Sequence, residues 1–301
     1  MSGTKVVVDV DGRQVALTNL QKVLYPSVGF AKAQVVDYYT RIAPVLLPHL
    51  ADRALTRKRY PDGVEGQVFF EKNAPRGTPQ WVRTERLPSP GSSKGRETID
   101  YVVCDDLPTL VWTANLAALE LHTHMWRVNT AHPDPERCPP DMVVFDLDPG
   151  PPATIVECCA VAQLLRPLLE ADGLEPLAKT SGSKGLQLYA RADGFDSAEK
   201  TSAYAKGLAQ RLEKEQPELV VHRMTKALRP GKVLVDWSQN SAAKTTVSVY
   251  SLRARERPTV STPVTWDEVE SCTSQDDLVF TSDDVLARVE EHGDLFAPLL
   301  G

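Results

Sequence analysis

The sequence predicts an α/β protein of the α+β type, with mixed sheets and helices packed outside them. Three observations predict it. Short runs rich in β-branched, aromatic or alternating apolar residues, at 143–145, 186–190 and 233–235, are bounded by Pro, Gly or polar turn residues. Longer stretches at 32–46, 153–172 and 196–216 carry apolar residues at helical spacing. A composition of 42% hydrophobic and 25% charged residues over 301 positions is enough to bury a full core. Length alone suggests about two domains, although α/β folds of this size also form one unit.

The formal net charge of -6 excludes a global basic field, so any polyanion must be held by local patches. No apolar run has the length of a membrane span, and the first residues lack a signal-peptide h-region. Cys104, Cys138, Cys158, Cys159 and Cys272 are odd in number and show no CxxC spacing. They suggest neither a disulfide framework nor a zinc site, and point to a reducing cytosol.

Residues 4–17 alternate around Asp11-Gly12 and read as a hairpin. Thr18-Asn19 is a possible cap for a short helix over 20–24, which Tyr25-Pro26 stops. Lys32 opens an amphipathic helix with Val35, Tyr38, Tyr39, Ile42, Val45 and Leu46 on one face. Lys22 and Lys32 flank a Pro/Gly turn and, taken alone, are ordinary solvated lysines. Residues 54–60 (ALTRKRY) form a basic strand, followed by VFFEK at 68–72. Cations beside paired aromatics suit a nucleotide surface, since cations meet phosphate and a ring stacks a base. A hairpin with one core Phe fits the same pattern, because Phe69 and Phe70 face opposite sides of a regular strand. Residues 75–97 read as a long loop, with Lys94 and Arg96 placed to touch a nucleic-acid backbone.

A strand follows at 99–104, then a buried helix over 107–121. His122, His124 and Trp126 alternate; the His-x-His pair lacks a third ligand of clear spacing, which favours a structural or substrate-contact role. A Pro-rich connection at 129–140 leads into DMVVFDLDPG at 141–150. In a strand, Asp146 and Asp148 share one face. Two carboxylates ending a buried strand repel each other and cost desolvation, and a divalent cation removes both penalties. A polar turn with solvated aspartates is the plainer alternative.

Beyond it come a helix at 153–172, a strand at 174–178 and the turn Lys179-Thr180-Ser181-Gly182-Ser183-Lys184-Gly185. The turn enters a strand at 186–190, so it is no P-loop, yet its N–H groups and Lys184 suit a phosphate. A helix at 196–216 and a strand at 218–222 precede a basic, irregular 225–232. The strand at 233–237 ends in a third acid, Asp236. A polar loop at 238–244, a strand at 245–252, the basic Arg253, Arg255 and Arg257, and two short acidic helices after Trp266 complete the chain. Three carboxylates on two strands can hold two divalent ions, which activate a 3′-hydroxyl and stabilise a leaving pyrophosphate. The set argues for nucleotidyl transfer.

The motifs VVFDLDPG at 143–150, TSGSKGLQLY at 180–189 and KVLVDWSQNSAAKTT at 232–246 resemble the polymerase domain of bacterial ligase D, within the archaeo-eukaryotic primase superfamily. TNLQKVLYP at 18–26, TRKRYPDG at 56–63 and FFEK at 69–72 extend the resemblance, which runs from about Thr18 to Leu299. It implies a primase-polymerase core of mixed and antiparallel sheets around a central cleft: one catalytic domain over 1–301, with 1–95 as a smaller lobe and 96–301 carrying the metal core. By position, Asp146 and Asp148 would bind two Mn2+ or Mg2+ ions, and Asp236 would complete the catalytic one. Ser181, Ser183, Lys184, Lys58, Gln239, Lys244 and Arg253 would form the triphosphate pocket. His122 would lie by the sugar or triphosphate, Phe70 under the incoming base, Phe69 nearer the template and Arg229 on it. Asn19, Lys22 and Lys32 would grip the 5′-phosphate at a gap.

One position departs from the family. Gln187 stands where the motif usually has His, and it supplies one hydrogen bond but no charge, which implies retained catalysis with altered triphosphate handling. No KxDG-type lysine motif of a ligase nucleophile occurs, so a stand-alone polymerase is expected. The resemblance further implies use of NTP and dNTP with a ribonucleotide preference, action on gapped or broken DNA in non-homologous end joining, Ku and an ATP-dependent DNA ligase as partners, no membrane, and a nucleoid-associated cytoplasmic location. A non-catalytic DNA end-binding module, a primase and an excision-repair gap filler are the alternatives.

Overall fold

A computed structural model describes residues 5–89, 97–129, 131 and 136–301; Lys94 and Arg96 lie outside them. The strands β1 (Lys5–Val10) and β2 (Arg13–Thr18) form the expected hairpin, turning at Asp11 and Gly12. The segment expected to be a helix over 20–24 is not one: β3 (Val23–Tyr25) pairs with β4 (Phe30–Ala31). Five residues are too few to offset the cost of nucleating a helix. Instead the N–H groups of Lys32 and Ala33 donate to the carbonyls of Lys22 and Leu20. The helix α1 (Lys32–Leu50) buries Val35, Tyr38, Tyr39, Ile42 and Leu46 along one stripe.

The first sheet begins with β5 (Ala54–Arg59), β6 (Phe69–Glu71), β7 (Thr84–Pro88) and β8 (Thr98–Val103), so β7 occupies part of the expected loop at 75–97. The expected helix over 107–121 is cut short. It ends as α2 (Leu107–Asn115), Ala117 takes a left-handed φ of 58°, and β9 (Ala118–Thr123) follows. β9 lies between β5 and a later strand, with apolar neighbours over one face and a polar cluster on the other. A nearly continuous apolar run does not distinguish helix from strand, and pairing with β5 decides it. Part of the expected connection at 129–140 is also strand. β10 (Trp126–Asn129) pairs with β11 (Glu136–Pro140) in a two-stranded ribbon, where prolines are tolerated.

The second sheet takes β12 (Met142–Pro149), then α3 (Ile155–Ala171), β13 (Leu177–Thr180), β14 (Leu186–Arg191), α4 (Ala198–Glu215), β15 (Val220–Val221) and β16 (Val233–Asp236). β17 (Thr246–Val247) returns to the first sheet. It is all that remains of the strand expected over 245–252, because the chain turns away at Tyr250, where φ is 62°. β18 (Pro263–Val264) closes the second sheet, and α5 (Trp266–Ser271) and α6 (Ser282–His292) form the expected acidic tail. The strand orders are β17-β9-β5-β8-β7, with β6 on β5, and β15-β16-β12-β14-β13-β18. Among the described strands only β15 and β16 pair in parallel. The first sheet draws strands from both sides of residue 95.

β12 explains how the site is held. Val143, Phe145 and Leu147 are fully buried with Cys158, Ala162 and Leu165 of α3 and Ala205 and Ala209 of α4. Each such side chain contributes roughly 1.5–3 kcal/mol by burial. Val144 turns the other way, into the core that includes α1. Alternation then puts Asp146 and Asp148 on the face of Val144, away from α3 and α4. The cysteines are free, and no helix among the described residues is long and apolar enough to cross a membrane.

Candidate active site

Asp146 has Asp236 of β16 directly opposite on one side and Gln187 of β14 on the other. Oxygens of Asp146, Asp148 and Asp236 lie within 4.8 Å of one another. Among the described residues this is the one group of three His, Cys, Asp or Glu with that closeness. Burial, and then the charge of Asp148, push the pKa of Asp146 up to about 7. Burial and Asp236 raise that of Asp148, while Arg229 and Arg253 partly offset them. Asp146 and Asp148 resist ionising side by side next to Asp236, and an all-oxygen donor set suits Mg2+ or Mn2+. The residues fit the ions.

Polar neighbours orient the carboxylates. Asp236 accepts from the Ser238 N–H at 3.0 Å, from the Ser238 hydroxyl, and from Gln239 Nε2 at 3.0 Å. Lys244 Nζ donates to the same Ser238 hydroxyl. Gln187 Nε2 donates to Asp146 at 2.9 Å, and its carbonyl accepts from Lys179 Nζ. Lys179 is fully buried and also donates to Ser261 at 2.7 Å and the Val247 carbonyl at 3.2 Å. The sequence reading places Gln187 on a phosphate; here its amide is engaged with a carboxylate.

The turn at 180–185 is shaped by two glycines. Gly182 has a φ of +64°, and a Cβ at Gly185 would lie 2.2 Å from the Leu147 carbonyl oxygen. The turn therefore approaches β12 closely enough to put Ser183 and Lys184 beside the acids. Its N–H groups are largely used: those of Ser183 and Gly185 donate to the Ser181 hydroxyl at 3.3 and 3.1 Å, and that of Gly182 donates to Thr180 at 3.3 Å. What faces the cleft is mainly side chain. Arg253 donates to the Ser181 carbonyl, and Arg255 to the Ser183 hydroxyl. A cleft of about 430 Å³ is lined by Asp146, Asp148, Ser181, Ser183, Lys184, Gln187, Gln239, His122, Arg253 and Arg255.

Glu120 on β9 is the residue that sequence reasoning missed. It is 2% exposed and accepts from Lys58 Nζ at 2.8 Å and from the Ala254 N–H at 3.2 Å; its Oε2 lies 2.9 Å from His122 Nε2 and its Oε1 3.4 Å from Arg253 Nε. Burial alone would raise its pKa, but the His122 bond and the charges of Arg253, His122 and Lys58 hold it well below the usual range. Phe70 meets His122 ring to ring at 6.4 Å, so it stands over the same cluster. Phe69 and Phe70 are 37% and 52% exposed, so neither is core; β6 is an edge strand with both faces open. His124 takes the structural role, stacked on Trp126 at 4.4 Å, with burial pushing its pKa down to about 3.

A second cationic group sits at β3 and β4. Asn19 has a φ of 53° and its carbonyl accepts the Lys22 N–H at 2.9 Å. Lys22 pairs with Asp62 at 2.7 Å. Lys32 is 5% exposed and donates to the Asn115 carbonyl at 2.9 Å. Burial, then the charges of Lys22 and Arg59, lower its pKa to about 8. Arg229 lies by the end of β12, where the Gly231 N–H donates to the Gly150 carbonyl at 2.9 Å.

The fold and the sequence are similar to those of known proteins. The family model described as "LigD, primase-polymerase domain" matches residues 31–296. The "Multifunctional non-homologous end joining protein LigD" of Mycolicibacterium smegmatis is 44% identical over 95% of this chain and 36% of its own length. The "Bifunctional non-homologous end joining protein LigD" of Bacillus subtilis is 30% identical over 93% of this chain and 43% of its own. The chain thus spans less than half the length of these relatives. The solved "Polymerase Domain from Mycobacterium tuberculosis Ligase D in complex with DNA" superposes with a TM-score of 0.89 at 42% identity, covering 95% of this chain and 98% of that one. With a mixed α/β fold of that domain and a matching model over most of its length, the chain belongs to the LigD primase-polymerase domain family.

Proposed function

We propose that the chain is a template-directed nucleotidyl transferase that adds nucleotides, ribonucleotides by preference, at gaps and ends bearing a 5′-phosphate during non-homologous end joining. It would act at the nucleoid with Ku and an ATP-dependent DNA ligase. The observation that carries this reading is the three carboxylates gathered within 4.8 Å beside a cationic turn. Two divalent cations bound there would supply the charge that activates a 3′-hydroxyl and stabilises departing pyrophosphate. Asp146, Asp148 and Asp236 would hold them. Lys184, Arg253 and Arg255 would bind triphosphate oxygens, with Lys58 held ready by Glu120. Phe70, exposed beside His122, would stack the incoming base, and Asn19, Lys22 and Lys32 would take the downstream 5′-phosphate.

The reading is tested by extension of a primer across a gapped duplex with manganese, comparing NTP with dNTP. Extension with ribonucleotides favoured supports it. Tight DNA binding with no extension supports the end-binding alternative. In the same assay Lys22→Ala lowers the preference for a 5′-phosphorylated gap by about tenfold, as loss of a charge-assisted phosphate contact requires. An unchanged preference removes Lys22 from the phosphate site.

The metal assignment has a pH signature. The folded pKa of Asp146 lies above the ordinary carboxylate value, so the cation-free fold loses stability as pH rises from about 4 through about 7. A cation binds the ionised form and removes that penalty. The manganese-induced rise in Tm therefore grows between about pH 5 and about pH 8. At a hundredfold excess over Kd it reaches ~2.7 kcal/mol, about 5 °C for a chain of this size. Equal shifts at both pH values contradict the assignment.

A further inference from the structure

Four side chains stand in one row across the second sheet. Lys179 of β13 is paired with Gln187 of β14, Gln187 with Asp146 of β12, and Asp146 with Asp236 of β16. Directly opposed residues put their side chains on the same face, so the row runs from a buried cation to the carboxylate cluster. Lys179 is 1% exposed, with the Tyr189 ring 5.3 Å from its Nζ. Its hydrogen bonds go to neutral groups: the Gln187 carbonyl, the Ser261 hydroxyl at 2.7 Å and the Val247 carbonyl at 3.2 Å. The Ser261 hydroxyl gives its own proton to the Thr180 carbonyl at 2.9 Å, so it only accepts from Lys179. Three such acceptors require three N–H donors, which an ammonium has and a neutral amine lacks. Burial works against that charge, and the carboxylate that works for it is Asp146, on the far side of the Gln187 amide.

Gln187 joins the two charges. Its carbonyl accepts from Lys179, and its Nε2 donates to Asp146 Oδ1 at 2.9 Å. An ammonium only donates and an ionised carboxylate only accepts, so the amide fits in one orientation. Reversed, it would set N–H against N–H and oxygen against oxygen. Lys179 therefore decides which end of Gln187 meets Asp146. The amide offers one acceptor and one donor at every pH, whereas a protonated imidazole at this position would present two donors, one of them against Lys179. Asp236 is held separately, by Ser238 and Gln239. We propose that Lys179 is a positioning residue for the metal site: it fixes the amide of Gln187, and the amide holds the Asp146 carboxylate turned toward Asp148 and Asp236. The inference rests on the metal assignment within the polymerase reading.

The test is manganese binding without nucleotide or DNA, read from the electron paramagnetic resonance signal of the free ion, in a double-mutant cycle. Lys179→Met keeps the length of the side chain and removes its donors. Gln187→Met removes the amide. Each is expected to raise the Kd for manganese by about tenfold, as loss of a group that holds a metal ligand does. The double variant should bind about as weakly as either single one, because both substitutions break the same chain of bonds. Two independent structural defects would instead multiply. The sign discriminates further: a lysine acting only as a nearby charge repels the cation, so its loss would tighten binding. Melting without metal confirms the fold of each variant, and Gln187→Met alone overturns the proposal if it binds manganese as the wild type does. Unchanged or tighter binding in folded Lys179→Met, or a double variant whose weakening is the product of the two, also overturns it. Absence of manganese binding by the wild type is a different result, which removes the metal assignment and this proposal with it.

Discussion

Asp236→Asn lowers nucleotide addition by at least about a thousandfold, ~4 kcal/mol in the barrier, while binding of a 5′-phosphorylated gap stays within about twofold. The substitution keeps size and the acceptor for Ser238, loses the acceptor for Gln239 Nε2, and removes the charge that faces Asp146 and Asp148. Its effect on the cation-free fold runs the other way. Asp236 raises the pKa of both neighbours, so its neutralisation relieves repulsion and leaves Tm equal or higher. Single-turnover extension and melting without metal measure the two halves. A variant that loses activity because it has melted, or one that extends primers within about tenfold of wild type, contradicts the role given to this residue.

The second large effect is at Glu120. Glu120→Gln removes the one carboxylate that holds Lys58, His122 and Arg253 together. Breaking a buried pair by deleting one partner costs about 3–5 kcal/mol, because the remaining charges stay desolvated. Tm should fall by about 6–10 °C in a chain of this size, and the KM for nucleoside triphosphate should rise about tenfold as Lys58 and Arg253 lose their fixed positions. The pH dependence has a definite sign. The folded pKa of Glu120 is depressed, so its contribution is present above the ordinary glutamate value and is lost as pH falls through the folded one. Melting curves should therefore converge as pH drops below about 4. Equal stability of the two proteins at neutral pH contradicts the account of this cluster.

The strands that carry the acids were legible because their chemistry is local. An apolar run ending in Asp146 and Asp148, and another ending in Asp236, each announce a strand with polar residues at its tip. That Asp146 and Asp236 are directly opposed was not legible, since register between segments about 90 residues apart is set by packing of the whole sheet. Glu120 was hidden for a related reason. It sits in a run that reads as helix, and only pairing of β9 with β5 turns Glu120 and His122 to one side. Lys179 was hidden because β13 ends at Thr180, two residues beyond the expected end, which moves Lys179 from an open turn into a strand and buries it against Gln187. The short helix expected near Lys22 failed because cap residues alone do not sustain a helix without a packed face.

The central claim is that Asp146 and Asp148 of one strand share two cations with Asp236, which is distant in sequence. The most direct test is anomalous scattering from crystals grown with manganese and a non-hydrolysable nucleoside triphosphate. Two manganese peaks are predicted among the carboxylates of Asp146, Asp148 and Asp236, with the triphosphate against Lys184 and Arg253. Manganese absent from these three side chains, or held by Asp146 and Asp148 with Asp236 outside coordinating reach of either ion, contradicts it.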